Sequence, residues 1–272
     1  QLLTEGTTPW QVYPRPQLKR NSYVNLNGSW EFTVSPDGQL PQVYDRTILV
    51  PFCPESQLSG LKFHPKDGDF LFYRRSFSTP ELPAGGRLLL HIDGADQVAE
   101  VYVNQKHIGS HAGGYEAFTL DITDALQETN ELLIRVTDDL RNTAHPYGKQ
   151  TLKRGGMWYT PVSGIWQTVW LESVPQSYIA GLSIENRGAS VTISVTPPLS
   201  GRVLVAGLGE FSLENGSVTI SPEDPHMWSP EDPYLYEFSV ETEQDRVESY
   251  FALRTLDIQK VDGVLRLCLN GV

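Results

Sequence analysis

Cysteine is nearly absent from this chain, with two in 272 residues, Cys53 and Cys268. Neither sits in a CxxC or Cys/His spacing, so zinc is unsupported, and they read as two unpaired buried thiols with a disulfide as the alternative. Basic charge is also short. Against 33 Asp and Glu there are 21 Lys and Arg, a formal charge of −12, and no Lys/Arg run. Nucleic acid demands a basic face, and an anionic membrane surface demands clustered basic residues, so neither is expected as a partner. No stretch approaches the roughly 20 apolar residues of a membrane span. The opening QLLTEGTTPW has no charged-then-apolar signal pattern; it fits a start left by a signal peptide and equally a trimmed cytosolic one.

Catalytic and cofactor motifs are missing as well. There is no GxSxG, HExxH, Walker loop or GxGxxG, so no cofactor is expected and no residue is nominated as catalytic. The histidines at 64, 91, 107, 111, 145 and 226 are scattered. His107 and His111 could share a metal, but on turn-bounded β segments they read better as surface residues. DGD (67–69) and DITD (121–124) could help hold calcium, although solvated turns are the better reading, so no metal is expected. A sustained 3.6-residue apolar period is absent too, which excludes long helices.

What is present is strand after strand. SWEFTV (29–34), FLFYRRSF (70–77), RLLLHI (87–92), QVAEVYV (97–103), AFTLDI (117–122) and ELLIRV (131–136) are short alternating runs between Gly, Pro, Asn and Asp. IWQTVWLE (165–172) continues them. This predicts an all-β jelly-roll sandwich over residues 1–174. After VPQSY (174–178) the strands become smaller: ASVTISV, GRVLVAG, GSVTIS, YLYEFSVE and VESYFAL predict an immunoglobulin-like sandwich over 175–256. SPEDPHMWSPEDP (221–233) holds too many prolines for a strand interior and reads as a long connection. Residues 257–272 read as a linker and a hairpin turning at Asp262-Gly263, with nothing after Val272 for it to pack on, as in a truncated chain.

Three of the six tryptophans lie in GGMWYTPVSGIWQTVWLE (155–172). Read as one strand, IWQTVWLE puts Ile165, Val169 and Leu171 on a core face and turns Trp166 and Trp170 the other way, toward a neighbouring domain. Trp228 is a third candidate for such an interface. Upstream, GGMWYTPVSG reads as a loop that presents Trp158 and Tyr159, and loop aromatics on a rigid scaffold are candidates for contact.

These stretches resemble the N-terminal half of glycoside hydrolase family 2, the β-galactosidase, β-glucuronidase and β-mannosidase group. The resemblance rests on LNGSWEF (26–32), ILVPFCPESQL (48–58), FYRRSF (72–77), residues 87–126, NELLIRVTDD (130–139) and GMWYTPVSGIWQTVWLE (156–172). MWSPEDPYLYEFSVE (227–241) and FALRTLDI (251–258) extend it through the second domain. It implies a jelly-roll "sugar-binding" domain, an immunoglobulin-like domain and then a (β/α)₈ barrel holding both catalytic glutamates. Residues 257–272 would begin that barrel, so the barrel is the partner expected in cis and a β-glycoside the expected ligand. The family also implies a periplasmic or secreted protein, with a cytoplasmic one as the alternative.

Two departures stand out. Gln105 occupies a turn position where relatives often carry Gly. Well-known members also place an acid in the loop before SGIW that reaches the sugar pocket, whereas residues 155–163, GGMWYTPVS, contain none. Trp158, Tyr159, Asp138 and Tyr147 are the candidates to touch carbohydrate instead. Three roles stay open: accessory half of such a hydrolase, stand-alone carbohydrate-binding module, or scaffold without sugar contact.

Overall fold

The computed structural model describes residues 8–139 and 144–272. The chain divides into two compact units, one of Gln1–Val12 with Ser22–Val174, the other of Tyr13–Asn21 with Pro175–Val272. Both are β-sandwiches. Among the described residues no helix is long and apolar enough to cross a membrane.

The first unit holds β1 (Tyr23–Asn25), β2 (Gly28–Ser35), β3 (Arg46–Val50), β4 (Phe70–Ser78), β5 (Arg87–Ile92) and β6 (Ala95–Asp96). It continues with β7 (Val98–Val103), β8 (Lys106–Ala112), β9 (Phe118–Asp121), β10 (Thr129–Thr137), β11 (Gly164–Ile165) and β12 (Val169–Val174). A six-stranded sheet of order β3-β2-β4-β10-β7-β8 faces a four-stranded sheet of order β1-β12-β5-β9. Alternation does the sorting: in β4 and β10, Leu71, Tyr73, Leu132, Ile134 and Val136 face the core, and Arg74, Glu131 and Arg135 face out. Leu88, Leu90, Ile92, Val169 and Leu171 fill the core from the other sheet. Trp30 is buried in it, its indole N–H donating to the Leu26 carbonyl at 2.8 Å.

IWQTVWLE is not one strand. β11 stops at Ile165, and the N–H groups of Trp166 and Gln167 both turn to the Gly94 carbonyl, at 3.2 and 3.4 Å. All six residues of β12 are buried, so its alternation does not distinguish a solvent face. Trp170 in particular is 1 % exposed. Its ring stacks on His91 at 3.8 Å and its indole N–H donates to Asp93 at 3.0 Å, which leaves no face for a domain outside the chain.

The second unit holds β13 (Gly181–Arg187), β14 (Ser190–Thr196), β15 (Gly201–Val205), β16 (Gly209–Leu213), β17 (Ser217–Ile220), β18 (Tyr236–Thr242) and β19 (Arg246–Phe251). Sheets of order β13-β14-β17 and β16-β15-β18-β19 enclose Val191, Ile193, Val203, Phe238, Val240 and Val247, an immunoglobulin-like arrangement. The proline-rich segment is the connection from β17 to β18. Residues 13–21, expected in the first domain, belong here instead. Lys19 exchanges backbone hydrogen bonds of 2.9 Å with Glu248 of β19. Beside it the buried Arg20 grips Asp245 with two bonds, of 3.0 and 2.6 Å, and donates to the Ile179 carbonyl at 2.7 Å. The hairpin β20 (Leu256–Val261) and β21 (Val264–Leu269) turns at Asp262-Gly263, both at positive φ, as Asp-Gly requires. Its register puts Leu256, Ile258, Leu265 and Leu267 on one face, each at least 66 % exposed.

Candidate functional site

Three carboxylates from separate parts of the first unit meet at the root of the aromatic loop. Glu55 comes from the turn after β3, Asp96 from β6, and Asp138 from the residue after β10. The pairing of strands brings them together: Gly164 of β11 lies opposite Asp96 of β6, and the Gln97 N–H donates to the Thr137 carbonyl at 3.0 Å. Ser163 is the hub. Its N–H donates to Glu55 at 3.3 Å and its hydroxyl to Asp138 at 3.1 Å. Gln150, at the other root of the loop, donates to Asp96 at 3.2 Å and to the Tyr115 hydroxyl at 3.3 Å, and accepts the Val162 N–H at 2.6 Å.

The close packing shows at Gly114 and Gly164. A Cβ on Gly114 would stand 2.2 Å from Asp96 Oδ1, and one on Gly164 would stand 2.0 Å from the Tyr73 hydroxyl. That hydroxyl accepts the Ile165 N–H at 3.3 Å, and burial pushes the phenol well above its ordinary pKa.

Burial dominates the electrostatics. It raises Glu55 and Asp96 above the usual carboxylate range. Asp138 is pushed up to about 7, first by burial and then by the charge of Asp96, with Glu55 and Asp139 adding to it. Cys53, against Glu55, is pushed up to about 11 by burial and that charge. No Lys, Arg or His makes an ion pair with Glu55, Asp96 or Asp138 among the described residues. A glycosidase pair needs one carboxylate kept ionised as nucleophile or base while the other stays protonated. Burial raises all three here, and among the described residues the cluster's contacts are hydrogen bonds to Ser163 and Gln150. Among the described residues no group of three His, Cys, Asp or Glu side chains is placed to hold a metal ion.

The loop between the two roots is folded. Tyr159 receives the Thr151 N–H at 3.0 Å and donates to the Lys149 carbonyl at 2.7 Å, and the Trp158 N–H closes a turn onto Gly155 at 3.1 Å. This presents Trp158 at 41 % and Tyr159 at 66 % exposure. Of the other sequence candidates, Asp138 is in the cluster, while Tyr147 is half-buried and makes no hydrogen bond to it among the described residues. Trp166 is half-buried, donating to the Gly114 carbonyl at 2.8 Å with Tyr115 edge-on. Trp228 is a half-buried residue of the second unit, beside Leu182, Ile184 and Leu235 around a groove of about 390 Å³. His107 packs against Tyr102 and His111 stacks on Phe118. Asp69 and Asp121, weighed as calcium ligands, cap their own turns at Lys66 and Thr123.

Glu55, Asp96, Ser163, Gln150 and Tyr115 were not picked out by the sequence reading. Residues 155–163 hold no acid, and the carboxylates near the loop's roots come from three separate segments, which no local spacing announces.

Two successive β-sandwiches, the first carrying an aromatic loop over a carboxylate cluster, define the class of molecule. Its family follows from two matches in chain order. The glycosyl hydrolase 2 galactose-binding domain-like family matches residues 66–159, and the glycosyl hydrolases family 2 domain matches 182–254. The chain belongs to glycoside hydrolase family 2. It is 28 % identical over 238 residues to a β-galactosidase of Thermoanaerobacter pseudethanolicus, covering 76 % of this chain and 31 % of that protein. It is 26 % identical over 251 residues to a β-glucuronidase of Bacteroides fragilis, covering 82 % and 35 %. Among solved structures, an uncultured Clostridium β-glucuronidase superposes with a TM-score of 0.73 at 21 % identity, over 94 % of this chain and 48 % of that one. A Ruminococcus gnavus β-glucuronidase, in complex with uronic deoxynojirimycin, gives 0.70 at 19 %, over 93 % and 48 %. The chain thus spans about a third of the length of these curated relatives.

Proposed function

We propose that this chain is the non-catalytic N-terminal part of a retaining β-glycosidase. On this reading the catalytic carboxylates lie on a (β/α)₈ barrel outside these residues, which the two sandwiches buttress and to whose substrate pocket the loop 150–163 contributes Trp158 and Tyr159. The observation that carries it is the pair of family matches in chain order across both units. The exposed aliphatic face of the β20–β21 hairpin supports it, as a surface suited to being covered by a following domain. The names of the relatives divide between β-galactosidase and β-glucuronidase, so the reading extends to β-glycosides as a class.

The test compares this chain with the complete polypeptide that contains it. The chain alone should leave nitrophenyl β-galactoside, β-glucuronide and β-mannoside intact, and the complete polypeptide should hydrolyse one of them with retention. In that polypeptide Trp158→Ala should raise KM by about tenfold with little change in kcat, as expected for a contact made equally in ground and transition states. Hydrolysis by the 272-residue chain itself would sink the proposal.

The stand-alone binding module draws support from the exposure of Trp158, Tyr159 and Tyr115, aromatic faces on which a sugar ring can stack. Titrating the chain's tryptophan fluorescence with galactosides, glucuronides and mannosides separates the cases. A saturable change favours the module; none up to roughly tens of millimolar, the range of weak single-site affinities, favours the accessory or scaffold role.

A further inference from the structure

We propose that Asn215, in the turn between β16 and β17, is a site of spontaneous covalent modification. The Gly216 backbone nitrogen attacks the Asn215 side-chain carbonyl carbon, closing a succinimide ring. The amide nitrogen leaves as ammonia, taking the proton that Gly216 gives up, and water then opens the ring to aspartate or isoaspartate. The site belongs to the second unit alone and is independent of what the complete protein hydrolyses.

Asparagine followed by glycine is the pair most open to this reaction, because a residue without a Cβ leaves its own nitrogen unshielded. The chain has three such pairs, Asn27-Gly28, Asn215-Gly216 and Asn270-Gly271. The fold separates them by what holds each carboxamide. Asn27 is fully buried; its Nδ2 donates to the Pro9 carbonyl at 3.3 Å and the Thr168 hydroxyl at 3.2 Å, and its Oδ1 accepts the Val169 N–H at 3.1 Å. Asn270 is half-buried and also tied at both ends. Its Oδ1 accepts the Thr255 N–H at 3.0 Å and its Nδ2 donates to the Trp228 carbonyl at 3.0 Å. Asn215 is exposed, and its carboxamide makes no hydrogen bond among the described residues. The Gly216 N–H beside it donates none either. Of the three carboxamides, only that of Asn215 is free to turn.

The turn requires this pair. Asn215 at φ 51° and Gly216 at φ 78° are successive left-handed residues, and a Cβ on Gly216 would stand 2.5 Å from the Pro198 Cα. Ring closure needs rotation about the Asn215 Cα–C bond, so the turn must open before the nitrogen can attack. The contacts that hold it shut are local. β16 and β17 lie in different sheets, and an isolated bridge spans the turn, Glu214 and Ser217 exchanging backbone bonds of 3.3 and 3.1 Å. The Val195 N–H donates to the Gly216 carbonyl at 2.8 Å, and the Asn215 N–H makes a long bond of 3.4 Å to the Ser200 hydroxyl. Releasing these contacts is a local opening, whereas Asn27 is reached only by breaking into the first core. Isoaspartate adds a backbone carbon and a negative charge to the turn, which takes the Gly216 carbonyl out of register with Val195.

Incubation of the folded chain in mildly alkaline H₂¹⁸O, followed by peptide mapping with mass spectrometry in acid, tests this. Asn215 should exchange its amide for an ¹⁸O-labelled carboxyl group at least about tenfold faster than Asn27 or Asn270, with part of the product as isoaspartate. Anion exchange should resolve the product as a more acidic species whose Val195 amide has lost protection from hydrogen exchange. In urea that unfolds both units the three pairs should react within about threefold of one another, since each is then an unconstrained Asn-Gly. Modification of Asn27 or Asn270 as fast as Asn215 in the folded chain would overturn the proposal, and so would an Asn215 that reacts only in urea. A preference for Asn215 that urea leaves unchanged would also overturn it, by assigning the selectivity to flanking residues rather than to the fold.

Discussion

Gln105 takes the second central position of the β7–β8 turn at φ 66°, after Asn104 at φ 50°. Two successive left-handed residues make this a type I′ turn, the form that matches the twist of a two-residue hairpin and prefers Asn-Gly. Asn104 suits the first position and is held there: its side chain donates to the Ala125 carbonyl at 2.7 Å and to Asn130 at 2.9 Å. Gln105 has a Cβ where glycine has none, so Gln105→Gly should stabilise the first unit by about 0.5–1 kcal/mol, less the entropy that glycine adds to the unfolded chain. A thermal melt should show a rise of a few degrees, and a fall would mean that Gln105 makes a compensating contact. Asp138 gives a pH-dependent case. Its folded pKa of about 7 exceeds its ordinary value of 3.8, so the folded chain keeps a proton that the unfolded chain loses. Stability from this group therefore declines as pH rises from about 4 to about 7, and is level above that. Asp138→Asn should gain on the wild type by on the order of 2 kcal/mol between pH 5 and pH 8, measured by urea unfolding.

At the scale of elements, β11 and its surroundings show what could and could not be read in advance. Strand type, the two-sandwich order and the Asp262-Gly263 turn follow from local alternation and turn chemistry, and those were legible. The break inside IWQTVWLE was not, because it is made by the Gly94 carbonyl, which takes two N–H groups from Trp166 and Gln167. Nor was the burial of Trp170, since alternation tells two faces apart only when one of them meets water. The carboxylate cluster was legible only in part: Asp138 was nominated, but Asp96 reaches it through strand pairing and Glu55 through Ser163, both from distant segments. Gly164 lies at the centre of that pairing, at φ 71°, with its missing Cβ directed at the buried Tyr73 hydroxyl. Gly164→Ala should therefore cost about 3 kcal/mol or more, through the positive φ and the clash together. Gly155→Ala, with open space around it, should cost little, and chemical denaturation of the two variants distinguishes a specific clash from general sensitivity of the segment.

At the scale of the whole chain there are two separate cores, and one buried ion pair belongs wholly to the second. Arg20 and Asp245 have side chains only 5 % and 3 % exposed. Asp245 also accepts the Ile179 N–H at 2.8 Å, so the pair ties residues 13–21 to the start of the second sandwich. Such a pair contributes little net stability compared with an apolar replacement, but removing one partner leaves a buried charge, at a cost of about 3–5 kcal/mol. Arg20→Ala should thus lower the melting of the second unit. The tryptophans separate the two readouts, since five of the six (Trp10, Trp30, Trp158, Trp166 and Trp170) belong to the first unit and Trp228 alone to the second. Calorimetry of the variant should show one component moved down while the fluorescence melt stays near the wild-type position. If both move together by the same amount, the cores unfold as one cooperative block, and the independence inferred from their separate packing is wrong.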